Sequence, residues 1–201
     1  LIESQKWGGS SLNYTNVPLG ALFHATQLFR AATEGAKFGL SSASLRYNYP
    51  TLNNWKNVAM KRAHANSKKD FEEAGIDCIH GLGRLLSAHE ISVGEQKTIK
   101  AKNILLATGA SMLDTGITIP EDFDFWLPEN VLEMIRPPKT IFIVGAGPTG
   151  CELAQFFATL GTEVIIADIA GRLLPREDEE VGQVLDDVFN KQGIKVLTQS
   201  R

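Results

Sequence analysis

Three glycines and one aspartate carry the clearest chemistry in this chain of 201 residues. Gly145-Ala146-Gly147-Pro148-Thr149-Gly150 fits the pattern G-x-G-x-x-G, and Asp168 follows 18 residues beyond Gly150. In a dinucleotide site Gly145 permits the tight turn, Gly147 lets the backbone approach a pyrophosphate, and Gly150 lets a helix pack close to the sheet. The pyrophosphate would rest on the helix start at Pro148 and Thr149, where unpaired N–H groups and the helix dipole favour negative charge. Asp168 would accept hydrogen bonds from both hydroxyls of an adenosine ribose. A 2′-phosphate there meets like charge, so the pattern favours NAD over NADP. Arg172, four residues on, is the cation that argues for NADP.

Such a site needs a strand before the glycines, a helix opening on them, and a second strand ending at Asp168. The sequence supplies all three. Thr140 to Val144 and Glu163 to Asp168 read as buried strands, and Pro148 to Leu160 as a helix closed by Gly161. Glu179 to Lys191 reads as another helix, with the acidic run Glu177 to Glu180 favouring its first turn, and Lys195 to Leu197 as a third strand. Strand, helix, strand, helix, strand predicts a parallel doubly wound sheet.

The first half is less regular. Leu1 to Glu3 reads as the end of a strand, before Gly8-Gly9. Leu22, Ala25, Phe29 and Ala32 recur at helical spacing up to Gly35, and a second helix is expected over 52–73 with Trp55, Val58, Ala59, Ala63 and Phe71 inward. From Asp77 the pattern turns to short β-rich runs, a small meander returning to a buried strand at Asn103 to Ala107. Four prolines between Gly109 and Pro138 mark a linker, with one short helix at Glu129 to Ile135. The expected division is 1–112, linker 113–138, and 139–201.

Composition excludes several classes. Twenty Lys and Arg against 23 Asp and Glu leave a formal charge of −3, which offers no field for a nucleic-acid backbone. No stretch approaches the roughly 20 apolar residues of a membrane span. Cys78 and Cys151 stand too far apart for a paired-thiol motif and read as two buried thiols, the four histidines have no ligand spacing for a metal, and no secretory signal is visible. A reducing, cytoplasmic setting is the expectation. The missing initial Met and the end just after an apolar run suggest a piece of a longer polypeptide.

Three segments together resemble the pyridine nucleotide-disulfide oxidoreductases, the family of dihydrolipoamide dehydrogenase, mercuric reductase and glutathione reductase. The start, LIESQKWGGSSLNYTNVPLGALFHA, resembles the family's strand, acidic residue and GGTC-x4-C-x-P-S-K motif. HGLGRL with KTIKAKNILLATGA resembles its meander and ATG turn, and GAGPTGCELA with Asp168 resembles its nicotinamide-domain fingerprint. The resemblance implies an α/β chain with two Rossmann-like nucleotide-binding domains, both incomplete, three-layered with a small β-meander in the flavin domain, binding FAD and NAD. It places Glu3 on the FAD ribose, Gly8, Gly9 and Ser10 against the flavin pyrophosphate, Gly83 beside the adenine, Thr108, Gly109 and Ala110 at the ATG turn, and Glu152 near the flavin ring.

Departures from the family pattern change the implied chemistry. Ser11 and Asn16 stand where the redox cysteines belong, and Gly20 where the lysine that partners Glu152 belongs. Without a thiolate there is no disulfide exchange. Pro148 also replaces a residue that is aromatic or aliphatic in the family. The expectation is an FAD-dependent oxidoreductase taking hydride from NADH and reducing an acceptor other than an active-site disulfide. The alternatives are a non-catalytic nucleotide-binding member and transhydrogenase-like transfer between nicotinamides. The family's first glycine-rich flavin loop and its dimerisation domain have no counterpart within the 201 residues, so weak FAD binding and little activity are expected of this piece alone, and a homodimer only of the longer protein.

Overall fold

A two-residue strand, β1 (Ile2–Glu3), pairs in parallel with β2 (Ile79–His80), Ile2 opposite Ile79 and Glu3 opposite His80. Parallel pairing needs a long crossover. In this computed structural model, which describes residues 1–39, 45–95, 97–111 and 116–200, helices supply it: α1 (Gly9–Asn13), α2 (Asn16–Glu34) and α3 (Tyr49–Glu73). Leu22 and Thr26 are buried on α2 and Phe29 half-buried, following the expected stripe. The third helix starts three residues before its expected Leu52, because the Asn48 side chain accepts the Thr51 N–H at 3.0 Å and Pro50 suits the first turn. Its inward face also differs: Trp55 is exposed and Lys56 is buried. The Lys56 ammonium donates to the Leu132 carbonyl at 2.7 Å, satisfying an acceptor at the end of a helix described below. Burial pushes the Lys56 pKa down, partly offset by the Glu133 carboxylate.

The meander is β3 (Gly83–Ser87), β4 (Glu90–Val93) and β5 (Lys97–Lys100), all antiparallel. The run around Cys78 to Gly81, read as part of it, instead gives β2 to the parallel pair. Asn103 to Ala107 forms no strand, and Leu105 is 91% exposed. Among the described residues no strand runs beside it, so its amides have no ladder and its leucines no cover. The boundary expected at 112/113 lies outside the described residues.

The proline-rich stretch contains α4 (Pro128–Val131), shorter than the expected helix because the chain leaves it at Leu132, the C-cap residue. Then come β6 (Thr140–Val144), α5 (Pro148–Thr159), β7 (Glu163–Ala167), α6 (Glu179–Lys191) and β8 (Lys195–Leu197), with the strands parallel in the order β6-β7-β8. Right-handed crossovers stepping one way across a sheet stack their helices on one face. The exposures of β6 agree: Ile141 and Ile143 are buried, Phe142 and Val144 more than half exposed. The strand is therefore half-buried, where the apolar run suggested burial on both faces.

One core joins the two halves. Leu19 and Leu22 of α2 and Val131, Leu132 and Met134 of the linker belong to the same cluster as Phe156, Phe157, Ile166 and Phe189. Tyr47 adds a hydrogen bond from its hydroxyl to the Leu160 carbonyl at 2.9 Å. The helix that opens at the glycine loop is thus fixed against α2.

Candidate dinucleotide site

The glycine turn lies between the carboxyl end of β6 and the start of α5. Gly145 has φ +106°, a backbone state that favours glycine, and its N–H donates to the Ala167 carbonyl at 2.8 Å. Gly147 is the N-cap residue of α5, and no side chain caps this helix. Pro148 occupies the first helical position, where its fixed φ fits and its missing N–H costs nothing. The N–H groups of Thr149 and Gly150 stay in the first turn without intrahelical acceptors. A Cβ at Gly150 would overlap the Gly145 carbonyl oxygen and lie 3.5 Å from Ile143 Cγ2, whereas one at Gly147 would meet nothing within 4 Å. Gly150 therefore serves the packing of turn, strand and helix, and Gly147 leaves the helix start open.

Asp168 sits just beyond β7. Its Oδ2 accepts the Ala146 N–H at 2.6 Å and its Oδ1 the Ala170 N–H at 2.8 Å. Each oxygen keeps a lone pair for a hydroxyl. The Ala146 carbonyl accepts the Leu174 N–H at 2.8 Å and the Cys151 thiol at 3.4 Å. Sequence reasoning assigned Asp168 one task, and the structure adds a second, holding the glycine turn closed. Burial pushes the Cys151 thiol up to about 11, so it is unreactive at neutral pH. Cys78 is exposed, contrary to expectation; it lies in an irregular segment before β2 that nothing covers.

At the other strand end, Glu3 repeats part of this geometry: its Oε1 accepts the Gln5 N–H at 2.7 Å, the same two-residue reach as Asp168 to Ala170. Gly8 and Gly9 have φ of +83° and +56°, and a Cβ on Gly8 would run into Leu12. Ser10 and Ser11 are exposed on α1, and Asn16 is exposed at the start of α2. At Gly83 a Cβ would make only ordinary contacts, 3.5 Å from Ile2 and Ile91, so sterics do not demand glycine there. Thr108, Gly109 and Ala110 lie in exposed irregular backbone, with Gly109 at φ +70°. Among the described residues no hydrogen bond joins them to Glu3 or to the Gly8-Gly9 turn.

Two residues of this region escaped the sequence reading. Asn13, buried, donates from Nδ2 to the carbonyls of Trp7 and Gly9 at 3.1 and 2.8 Å. Its Oδ1 lies 3.1 Å from His64 Nε2 on α3. Because Asn13 spends its amide on carbonyls, His64 must carry its proton on Nε2. The affinity of Asn for nearby backbone groups was a usable signal; nothing in the sequence pairs it with His64.

Residues 15–201 match the family model described as Pyridine nucleotide-disulphide oxidoreductase. The chain belongs to this family. Among curated relatives it is 28% identical over 204 residues to dihydrolipoyl dehydrogenase of Zymomonas mobilis, covering 100% of this chain and 44% of that protein. It is 30% identical over 202 residues to dihydrolipoyl dehydrogenase of Chlamydia pneumoniae, again over 100% of this chain and 44% of the relative. The chain thus spans less than half the length of these relatives. LpdA from Mycobacterium tuberculosis superposes with TM-score 0.84 at 22% identity, over 100% of this chain and 45% of that one. The HOCl-induced flavoprotein disulfide reductase RclA from Escherichia coli superposes with TM-score 0.78 at 23% identity, over 100% and 43%. The α/β nucleotide-fold architecture read from the sequence is therefore shown. The cofactor classes expected, flavin and pyridine nucleotide, are those named by the family and by the RclA flavoprotein.

Glu152, the residue expected near a flavin ring, lies in the first turns of the helix that opens at the glycine loop. That residue is exposed on α5, and partial desolvation holds its carboxyl above the usual carboxylate range. Among the described residues no cation pairs with it. Gly20 is exposed on α2, and a Cβ there would meet nothing within 4 Å. No helix of the described residues is long and apolar enough to cross a membrane.

Proposed function

We propose that this chain acts in an FAD-dependent pyridine nucleotide oxidoreductase that takes hydride from NADH and reduces an acceptor other than an active-site disulfide. The observation that carries the reading is the end of the parallel sheet. There an open glycine N-cap, two N–H groups of the first helical turn and the Asp168 carboxylate lie together, as a pyrophosphate and a ribose require. Two nucleotide-binding units, 1–112 and 139–201, would share the work.

When bound, the flavin and the nicotinamide supply the hydride chemistry. The chain's residues bind and orient. Thr149 and Gly150 N–H groups hold the pyridine nucleotide's phosphates, Gly147 leaves room for them, and Asp168 takes the ribose hydroxyls. Glu3, Gly8, Gly9 and Ser10 are the residues to hold the FAD ribose and pyrophosphate, with Gly83 and the Thr108-Gly109-Ala110 turn flanking it. Support for the FAD assignment is the Glu3 carboxylate, whose second oxygen has no hydrogen-bond partner among the described residues, beside the left-handed Gly8-Gly9 turn. Ser11 and Asn16 supply no thiolate, which is why the acceptor is placed outside the chain's own side chains. Glu152, without the family's lysine, is the proposed carboxyl beside the flavin.

The test is spectroscopic. The intact longer protein, purified with its flavin, is mixed with NADH without oxygen, and free thiols are counted before and after. Bleaching of the flavin within the mixing time with no gain in thiols supports the reading. A colourless protein, or a yellow one that NADH leaves oxidised, sinks it in favour of a non-catalytic nucleotide binder.

A further inference from the structure

Arg172 stands four residues after Asp168, where sequence alone leaves it free to meet a ribose 2′-phosphate. Its guanidinium is engaged elsewhere. Nη1 donates to the Leu174 and Asp178 carbonyls at 3.2 and 3.3 Å, and Nη2 to those of Pro175 and Glu177 at 3.1 and 2.7 Å. Four terminal N–H groups thus meet four carbonyl oxygens, and only Nε–H remains. Carbonyls converging on one point repel one another unless a cation lies between them, so the course of residues 173–178 depends on this side chain. That loop touches the glycine turn and α6. Leu174, at φ +47°, donates its N–H to the Ala146 carbonyl at 2.8 Å. The Leu173 carbonyl lies 2.7 Å from where a Cβ on Gly182 would be, so α6 accepts the loop only through a glycine.

We propose that Arg172 is a positioning residue of the nucleotide site. It clamps the 173–178 loop, holds Leu174 against Ala146 and so sets the glycine turn, and it is withheld from the ribose 2′ position. Selection of NAD then has two parts: Asp168 repels a 2′-phosphate, and the guanidinium four residues on is spent on backbone. This rests on the reading of the Gly145 to Asp168 end as a pyridine nucleotide site. Arg176, the loop's other cation, is exposed and serves as the control.

The test is calorimetric titration of the chain with ADP-ribose and with 2′-phospho-ADP-ribose, for the unmodified protein and for Arg172→Gln, Arg172→Lys and Arg176→Ala. The clamp predicts that both Arg172 variants weaken both probes by a common factor of about tenfold. Their ratio stays fixed, and lysine does no better than glutamine because an ammonium cannot serve four carbonyls at once. Arg176→Ala leaves the ratio unchanged. A loss confined to the 2′-phosphorylated probe and restored by lysine overturns the proposal, as does an Arg172→Gln protein that binds both probes normally. A ratio that Arg176→Ala shifts overturns the claim that no cation serves the 2′ position. If the Arg172 variants do not fold, the unmodified chain decides by NMR: the Arg172 Nη proton signals stay in place when 2′-phospho-ADP-ribose is added, and a moved signal overturns the clamp. An unmodified chain that binds neither probe refutes the nucleotide site itself, a failure distinct from that of Arg172.

Discussion

The Asp168 carboxylate reaches back across the end of the sheet and accepts the Ala146 N–H at 2.6 Å. The acidic residue proposed for the ribose is therefore also the latch of the glycine turn. Asp168→Ala removes acceptors from two backbone amides at once. Unfolding stability should fall by about 1–3 kcal/mol, measured by urea denaturation without ligand, and NADH affinity should fall as well. A variant of unchanged stability would reduce Asp168 to a ligand contact alone.

Gly147 and Gly150 separate binding from packing. Gly150→Ala forces a methyl group into the Gly145 carbonyl, an overpacking that costs about 1–3 kcal/mol and lowers the melting temperature. Gly147→Ala meets nothing within 4 Å at φ −74°, which any residue adopts, so its melting temperature should match the parent. Its nucleotide affinity should drop, because the methyl group occupies the space assigned to the pyrophosphate.

Asn13 is the strut of the other turn. Asn13→Ala leaves the Trp7 and Gly9 carbonyls without their side-chain donor and frees His64. We expect a loss of about 1–3 kcal/mol and faster amide exchange at residues 7–9 and 12, while amides of β6 and β7 exchange as before. Uniform acceleration would place Asn13 in the global core and not at this turn.

Glu152 supplies a pH dependence. Its carboxyl pKa is raised in the folded state by desolvation, so the folded protein holds this proton more tightly than the unfolded one. The stabilisation is fully present below the unfolded value and is lost as pH rises through the folded one. Glu152→Gln should remove that decline, so the stability difference between variant and parent shifts toward the variant as pH rises from 4 to 7. A difference constant across that range would contradict the assignment.

What the sequence made legible follows from how local each signal is. The glycine turn, α5 and Asp168 could be read because strand, turn and helix lie within thirty residues and each glycine answers a backbone need. Ser11, Asn16 and Gly20 read as departures only through the resemblance to the family's motif, and nothing in the backbone of α1 or α2 bears on that reading. Lys56 could not be foreseen: its partner is the Leu132 carbonyl, 76 positions away, and a lysine on a helix reads as solvated. The bonds of Arg172 escape a reading of the sequence for a related reason, since its acceptors are backbone carbonyls and carry no signature in residue type. Asn103 to Ala107 has the composition of a buried strand, but a strand exists only where a neighbour completes its ladder.

The central claim, that the carboxyl ends of β6 and β7 hold the adenosine half of a pyridine nucleotide, is tested most directly by titrating the chain with ADP-ribose in a calorimeter. The account predicts saturable one-to-one binding that is weakened in Gly147→Ala while that variant keeps the parent's melting temperature. Absence of saturable binding by the folded parent chain, or equal affinity in Gly147→Ala, would contradict it.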